Sequence, residues 1–248
     1  SMNQTIQNRL GEQLDYSFHA GIADRRNEKW IVILGHGLTG NKDRPVITDT
    51  ANALNAIGFD TLAFSFAGNG QSQGNFREAT ISKEVGDLSS VIDAVAHSYP
   101  KIAYIGHSMG AAVGVIQATH DGRLKALVSL AGMIDTKTFA TTEFSEETPD
   151  QSLMWGETDC PLSSSFMQDL CQTIGTVAPL ADCVSTQWLL IHGTDDDVVR
   201  PQDSECVKDL QGDAVELVYI EGADHSFSAP PHKEEMLKAV TGWFQTIL

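Results

Sequence analysis

With 248 residues the chain can bury a sizeable core as one domain, and 33 acidic against 16 basic side chains leave a formal net charge of −17 at pH 7. That balance argues against nucleic acid as a partner, because affinity for polyanions depends on Lys and Arg replacing condensed counterions; it also disfavours acyl-CoA and phosphoesters and admits neutral or cationic substrates. No apolar run is long enough to span a bilayer and no basic stretch leads into an apolar one near the start, so a soluble, cytoplasmic protein is expected.

Ser1, ahead of Met2, reads as an appended residue. Thr5 to Phe18 predicts a hairpin with its turn near Leu10 to Gln13. Trp30 to Leu34 follows as a short apolar strand and leads into Gly35-His36-Gly37-Leu38-Thr39-Gly40. This loop formally satisfies the dinucleotide fingerprint G-x-G-x-x-G. A nicotinamide-binding unit would, however, need an acid at the end of the next strand, and that strand, Thr61 to Phe64, ends in Ser65. A Rossmann domain would also open with the strand rather than with a hairpin.

Ser82 to Tyr99 carries Val85, Leu88, Ile92 and Val95 near helical spacing. Lys101 to Ile105 reads as a buried strand and Met109 to His120 as an Ala- and Val-rich helix. Between them lies Gly106-His107-Ser108-Met109-Gly110, the G-x-S-x-G pattern that displays a serine on a sharp strand-to-helix turn. Gly on both flanks lets neighbouring backbone approach without a Cβ clash. Lys125 to Leu130 is a further strand. After it the alternation breaks and resumes only at the strand Gln187 to Ile191, which leads into Asp195, Asp196 and Asp197. The strand Val215 to Ile220 leads into the loop that holds His225, and Lys233 to Leu248 closes the chain as an amphipathic helix with Met236, Leu237, Val240, Phe244 and Ile247 on one face.

A serine hydroxyl is a poor nucleophile at neutral pH; it needs a histidine to take its proton and a carboxylate to orient the resulting imidazolium. Ser108, one of the three aspartates and His225 supply these groups at the C-terminal ends of three predicted strands, the edge at which open α/β folds place their sites. Spacing alone leaves Asp195, Asp196 and Asp197 as near equals. One donor for the oxyanion of an ester transition state is expected from the backbone of Met109, at the start of the helix after the serine, and a second from the loop after Trp30 to Leu34.

The motifs His36-Gly37-Leu38-Thr39-Gly40, Gly106 to Gly110, His192-Gly193-x-x-Asp196-x-x-Val199 and Gly222-x-x-His225 resemble, over nearly the whole chain, those of α/β-hydrolases, in particular compact bacterial carboxylesterases of the cinnamoyl (feruloyl) esterase type and the related serine aminopeptidase-like group. The resemblance implies an α/β-hydrolase fold with a mainly parallel central sheet, helices on both faces and a small lid insertion. It selects Asp196 as the acid, the fifth residue of the segment that begins His-Gly, and the N–H of Leu38 as the second oxyanion donor. The catalytic set is then Ser108, Asp196 and His225. The turn Phe66 to Ser72 departs from the family pattern, with Ser65 and Asn69 where Asp and His are usual.

One domain, 1–248, is expected, with 132–183 as a lid whose Met133, Phe139, Phe144, Met154, Trp155, Phe166 and Met167 line an acyl or alcohol pocket. From Met133 to Cys183 there are nine Asp or Glu against the single Lys137, so this lid should repel anions; it has no Tyr to anchor a phenolic acid. Cys160, Cys171, Cys183 and Cys206 lack zinc-ligand spacing, and free thiols are expected, with a disulfide among the first three only in an exported protein. His36, His107 and His192, each beside Gly, are expected to orient loops. The function implied is a cofactor-free, metal-free serine esterase acting on small neutral esters through an acyl-enzyme. An amidase, aminopeptidase or acyltransferase on the same triad and a small-molecule sensor with slow turnover are the alternatives, and a homodimer is left open.

Overall fold

Alternate residues of the strand Asn27–Gly35 (β4) face opposite sides: Ile31 and Ile33 join one buried cluster, Val32 and Leu34 the other. A strand covered on both faces must be apolar at successive positions, which is why the central strands read as continuous runs. The structure, a computed structural model, describes residues 2–248, so the reading of Ser1 lies outside it.

Two short strands, Ile6–Gln7 (β1) and Gln13–Leu14 (β2), pair only with each other. The expected hairpin is therefore shorter than its sequence suggests. Its second arm continues as Tyr16–His19 (β3), which leaves the hairpin to pair antiparallel with Phe59–Phe64 (β5). The remaining strands are Lys101–His107 (β6), Leu124–Leu130 (β7), Gln187–Gly193 (β8) and Val215–Ile220 (β9). In space the sheet runs β3-β5-β4-β6-β7-β8-β9, parallel throughout except for β3. This is the α/β-hydrolase architecture.

Helices Pro45–Ala56 (α1) and Pro230–Thr246 (α8) cover one face through Ile47, Leu54, Val240 and Phe244. Ile81–Val95 (α2) and Met109–His120 (α3) cover the other through Leu88, Val91, Ala112 and Val115. Segment 132–183 is built onto this second face from Thr136–Glu143 (α4), Ser164–Gln168 (α5), which runs on as a π-helix over Asp169–Ile174, and Ala178–Ala181 (α6). Two buried carboxylates tie it down. Asp169 accepts from the backbone and hydroxyl of Ser82 at the start of α2, and Asp203, in the helix Pro201–Gln211 (α7), accepts from the N–H groups of Ile134 and Asp135 at 2.8 and 3.0 Å. The four cysteines are unpaired, and among the described residues no helix is long and apolar enough to cross a membrane.

Candidate active site

β6 passes into α3 with no intervening loop, and Ser108 at the junction has φ 56° and ψ −119°. This is strained backbone for a residue with a side chain, and hydrogen bonds hold it from both sides. Its N–H donates to Leu130 O at 2.9 Å, and its carbonyl accepts from Ala111 N at 3.0 Å and Met133 N at 3.1 Å. The flanking glycines are sterically required: a Cβ at Gly106 would lie 2.4 Å from Gly110 O, and one at Gly110 would lie 2.4 Å from His36 O.

The structure brings the three sequence-predicted side chains into one hydrogen-bonded chain. Ser108 Oγ lies 2.9 Å from His225 Nε2, and His225 Nδ1 lies 2.7 Å from Asp196 Oδ2. Asp196 is buried, whereas Asp195 and Asp197 are exposed. Its Oδ1 accepts the N–H groups of Val198 and Val199, each at 2.9 Å, and its Oδ2 also lies 3.3 Å from Nε2 of buried His192. His192 Nε2 donates to Val199 O at 2.9 Å, so its Nδ1 accepts from the Ser204 hydroxyl at 2.6 Å. Burial pushes the Asp196 carboxyl up, but the hydrogen bonds from His192, His225 and the backbone outweigh it and hold the group well below the usual carboxylate range.

The acid and histidine loops are fastened to each other. Asp195 N donates to Ala223 O at 3.0 Å and Gly222 N to Thr194 Oγ1 at 2.8 Å. His107 Nε2, one residue before the serine, donates to the His225 carbonyl at 3.0 Å. Burial, reinforced by His225, pushes the His107 imidazole down to about 3, so it stays neutral and keeps that geometry. His107 thus orients His225 through its backbone; a His next to the G-x-S-x-G serine is the sequence signal, but its partner is visible only in three dimensions.

On the opposite side of Ser108, a Cβ at Gly37 would approach the serine Cβ to 3.0 Å, which places the loop after β4 directly against Ser108. The Gly37 carbonyl accepts from His36 Nδ1 at 2.7 Å and from Gly40 N at 3.0 Å, while His36 Nε2 accepts from Phe66 N at 3.0 Å. Burial pushes His36 down to about 4, consistent with the single tautomer these bonds require. In a trans peptide the Gly37 carbonyl and the Leu38 N–H point in opposite directions, so fixing the first aims the second. Met109, as the first residue of α3, has no intrahelical acceptor for its N–H. Gly37 is used for this close approach, Gly35 packs on Tyr104 and Gly40 on His36, and α1 begins only at Pro45, so the fingerprint does not open a helix at a phosphate. At the atypical turn, Ser65 Oγ accepts Lys42 N at 3.0 Å and Asp87 Oδ2 accepts Ala67 N at 2.9 Å, a network made with other partners.

A cavity of about 610 Å³ opens above Ser108 and His225. Segment 132–183 contributes Glu143, Trp155 and Glu157 to its wall. Here the sequence expectation is corrected. Met133, Phe139, Phe144, Met154 and Phe166 are buried in the cluster shared with α2 and α3, and Met167 packs at its margin; of the seven apolar residues only Trp155 reaches the cavity. The others pack the segment into the core it shares with α2 and α3. Arg44 and Lys233, to which the sequence gives no pointer, also line the cavity. Among the described residues no group of three His, Cys, Asp or Glu side chains is placed to hold a metal ion.

The family model described as "Serine aminopeptidase, S33" matches residues 26–155. A curated relative, an uncharacterized 31.7 kDa protein in the traX-finO intergenic region of Escherichia coli, is 28% identical over 120 residues; the match spans 47% of this chain and 42% of that protein, so the chain spans less than half of the relative's length. Among solved structures, Est1E from Butyrivibrio proteoclasticus, with ferulic acid bound, superposes with a TM-score of 0.86 at 24% identity, over 98% of both chains. Mouse alpha/beta hydrolase domain-containing protein 10 superposes with a TM-score of 0.80 at 18% identity over the full length of both. At these identities the superpositions establish the fold.

Proposed function

As the chain belongs to the serine aminopeptidase, S33, family of α/β hydrolases, we propose that this hydrolase cleaves carboxylic esters of small molecules through an acyl-enzyme. The observation that carries the proposal is the unbroken chain Ser108 Oγ, His225, Asp196, with separations of 2.9 and 2.7 Å. His225 Nε2 accepts the serine proton as Oγ attacks the ester carbonyl. The N–H groups of Leu38 and Met109 hold the oxyanion, and His225 returns the proton to the leaving alcohol. Water then takes the alcohol's place, and the same residues run the second half in reverse. Segment 132–183 serves as the lid: Trp155 and its two neighbouring carboxylates narrow the cavity over the nucleophile and limit water.

Hydrolysis of a short-chain nitrophenyl ester, run beside an aminoacyl nitroanilide, tests this. Ester turnover that disappears in Ser108→Ala with the circular dichroism spectrum unchanged supports it. Cleavage of the anilide alone would move the protein to the amidases, and undiminished ester turnover in Ser108→Ala would remove the nucleophile.

A further inference from the structure

Glu143 ends α4 and lines the cavity that exposes Ser108 and His225, yet among the described residues no Lys or Arg lies within ion-pair distance of it. Its charged surroundings are Asp197, His225 and Asp196. The Trp155 side chain hydrogen-bonds to the carboxylate, but no Lys or Arg balances its charge, and a cation arriving from solvent would do so. Beside it stands Trp155, held at φ 49° and packed on Phe144 and Phe139 with ring centroids 5.2 and 6.3 Å away. The indole nevertheless remains 45% exposed where it lines the cavity. An aromatic ring braced from behind and flanked by the carboxylates of Glu143 and Glu157 has the composition of an ammonium site.

The cations of the cavity do not cancel this wall. Lys233 is engaged by Asp49 at 3.0 Å. Arg44 also lines the cavity, just before α1; its guanidinium makes one long hydrogen bond of 3.4 Å to Thr39 O and, among the described residues, is within ion-pair distance of neither Glu143 nor Glu157. Which half of an ester would meet Glu143 follows from proton transfer. His225 must deliver its proton to the departing alkoxide, so the alcohol lies on the histidine side of the nucleophile, and Glu143 is the segment's carboxylate whose field reaches His225 and Asp196.

We propose that Glu143 and Trp155 form a subsite for a positively charged group on the alcohol half of the substrate, so that the preferred esters are those of amino alcohols. This rests on the ester hydrolase reading above and adds to it the substrate class.

The test compares butyrylcholine with its uncharged isostere, 3,3-dimethylbutyl butyrate, in the wild-type protein and in Glu143→Gln and Trp155→Leu. The wild type should favour the cationic ester in kcat/KM by about tenfold or more, the size of a cation–π contact reinforced by a partly buried charge, and each substitution should bring the ratio toward one. Because the readout is a ratio within one protein, a change in folded fraction cancels. A ratio near one in the wild type, or a preference that survives Glu143→Gln, overturns the subsite and leaves the esterase reading standing. Failure to cleave either ester or any nitrophenyl ester overturns both.

Discussion

His225 Nδ1 lies 2.7 Å from Oδ2 of Asp196, whose other oxygen is saturated by two backbone N–H groups, so the carboxylate cannot rotate away from the imidazole. Asp196→Asn preserves the shape but offers His225 an amide donor or a neutral acceptor, which disturbs the tautomer and removes the charge that stabilises the imidazolium. Ester kcat should fall about 10³- to 10⁴-fold. Asp195→Asn, on an exposed side chain, should change it less than threefold, an order-of-magnitude expectation for a surface charge. Reversed losses in steady-state assays of the two variants would transfer the acid to Asp195.

The elbow makes a prediction about stability. Ala at Gly106 would drive a Cβ to 2.4 Å from Gly110 O and 2.6 Å from Ala111 N, backbone atoms of the helix start that cannot move without dismantling the serine turn. Gly106→Ala should destabilise by on the order of 3 kcal/mol. Gly86, inside α2 with no atom beyond its own stretch of helix within 4 Å of the position a Cβ would take, gives the opposite case. There Ala should stabilise by about 0.5 to 1 kcal/mol, since it only reduces the freedom of the unfolded chain. Urea unfolding of both variants checks the pair; equal effects would mean that the elbow tolerates a side chain.

The central strands β4, β6, β7 and β8 are legible in the sequence because burial on both faces makes their middles nearly continuous apolar runs, and the edge strand β9 shows through Val215, Leu217, Val218 and Ile220 despite its exposed Glu216 and Tyr219. β3 is not, since an alternating edge segment such as Tyr16–His19 looks the same whether it pairs within a hairpin or with β5. α7 escapes for a related reason: only Asp203, Ser204 and Val207 of its eleven residues are buried, too few to leave a stripe. In the site, Ser108 and His225 stand out through the strand ends that carry them. Asp196 does not stand out from its two neighbours on the residues alone, because the choice depends on which of three adjacent side chains turns inward, and only the resemblance points to it. Glu143 has no local signal at all; at the end of a polar helix it resembles any solvated carboxylate until the fold sets it beside His225.

His36 links acid sensitivity to the loop proposed to hold the oxyanion. Its imidazole is pushed from 6.5 down to about 4 by burial, so the unfolded chain binds the proton first. The stability this neutral ring contributes is whole above about 6.5 and is lost as pH falls to about 4, on the order of 3 kcal/mol in all. His36→Phe keeps the edge-on packing with Phe66, at 5.0 Å between centroids, but leaves the Gly37 carbonyl with one donor fewer. The variant should lose less stability than the wild type between pH 7 and pH 4.5. Its ester kcat should fall about 10- to 100-fold as the Leu38 N–H loses its fixed direction. A steeper acid loss in the variant, by denaturant titration at the two pH values, would contradict the assignment.

Glu84 gives the opposite slope. It is 3% exposed in α2, its Oε1 has no hydrogen-bond partner, and burial together with the nearby Asp87 and Asp169 pushes its carboxyl well above the usual range, against Lys83 alone. The folded chain therefore holds this proton more tightly than the unfolded one. The stability so contributed is fully present below the ordinary value of 4.5 and is lost as pH rises from there through the folded-state value. Glu84→Gln stays neutral at every pH. Any cost of its unmatched amide hydrogens is constant, and the contributions of His36 and His107 are common to both proteins, so the stability of the variant relative to the wild type isolates this one group. That difference should grow in favour of the variant as pH rises above 5, with a slope of at most about 1.4 kcal/mol per pH unit. Urea unfolding at pH 5, 6, 7 and 8 measures it; a difference independent of pH would mean that the Glu84 carboxyl is ionised as readily in the folded protein as in the unfolded chain.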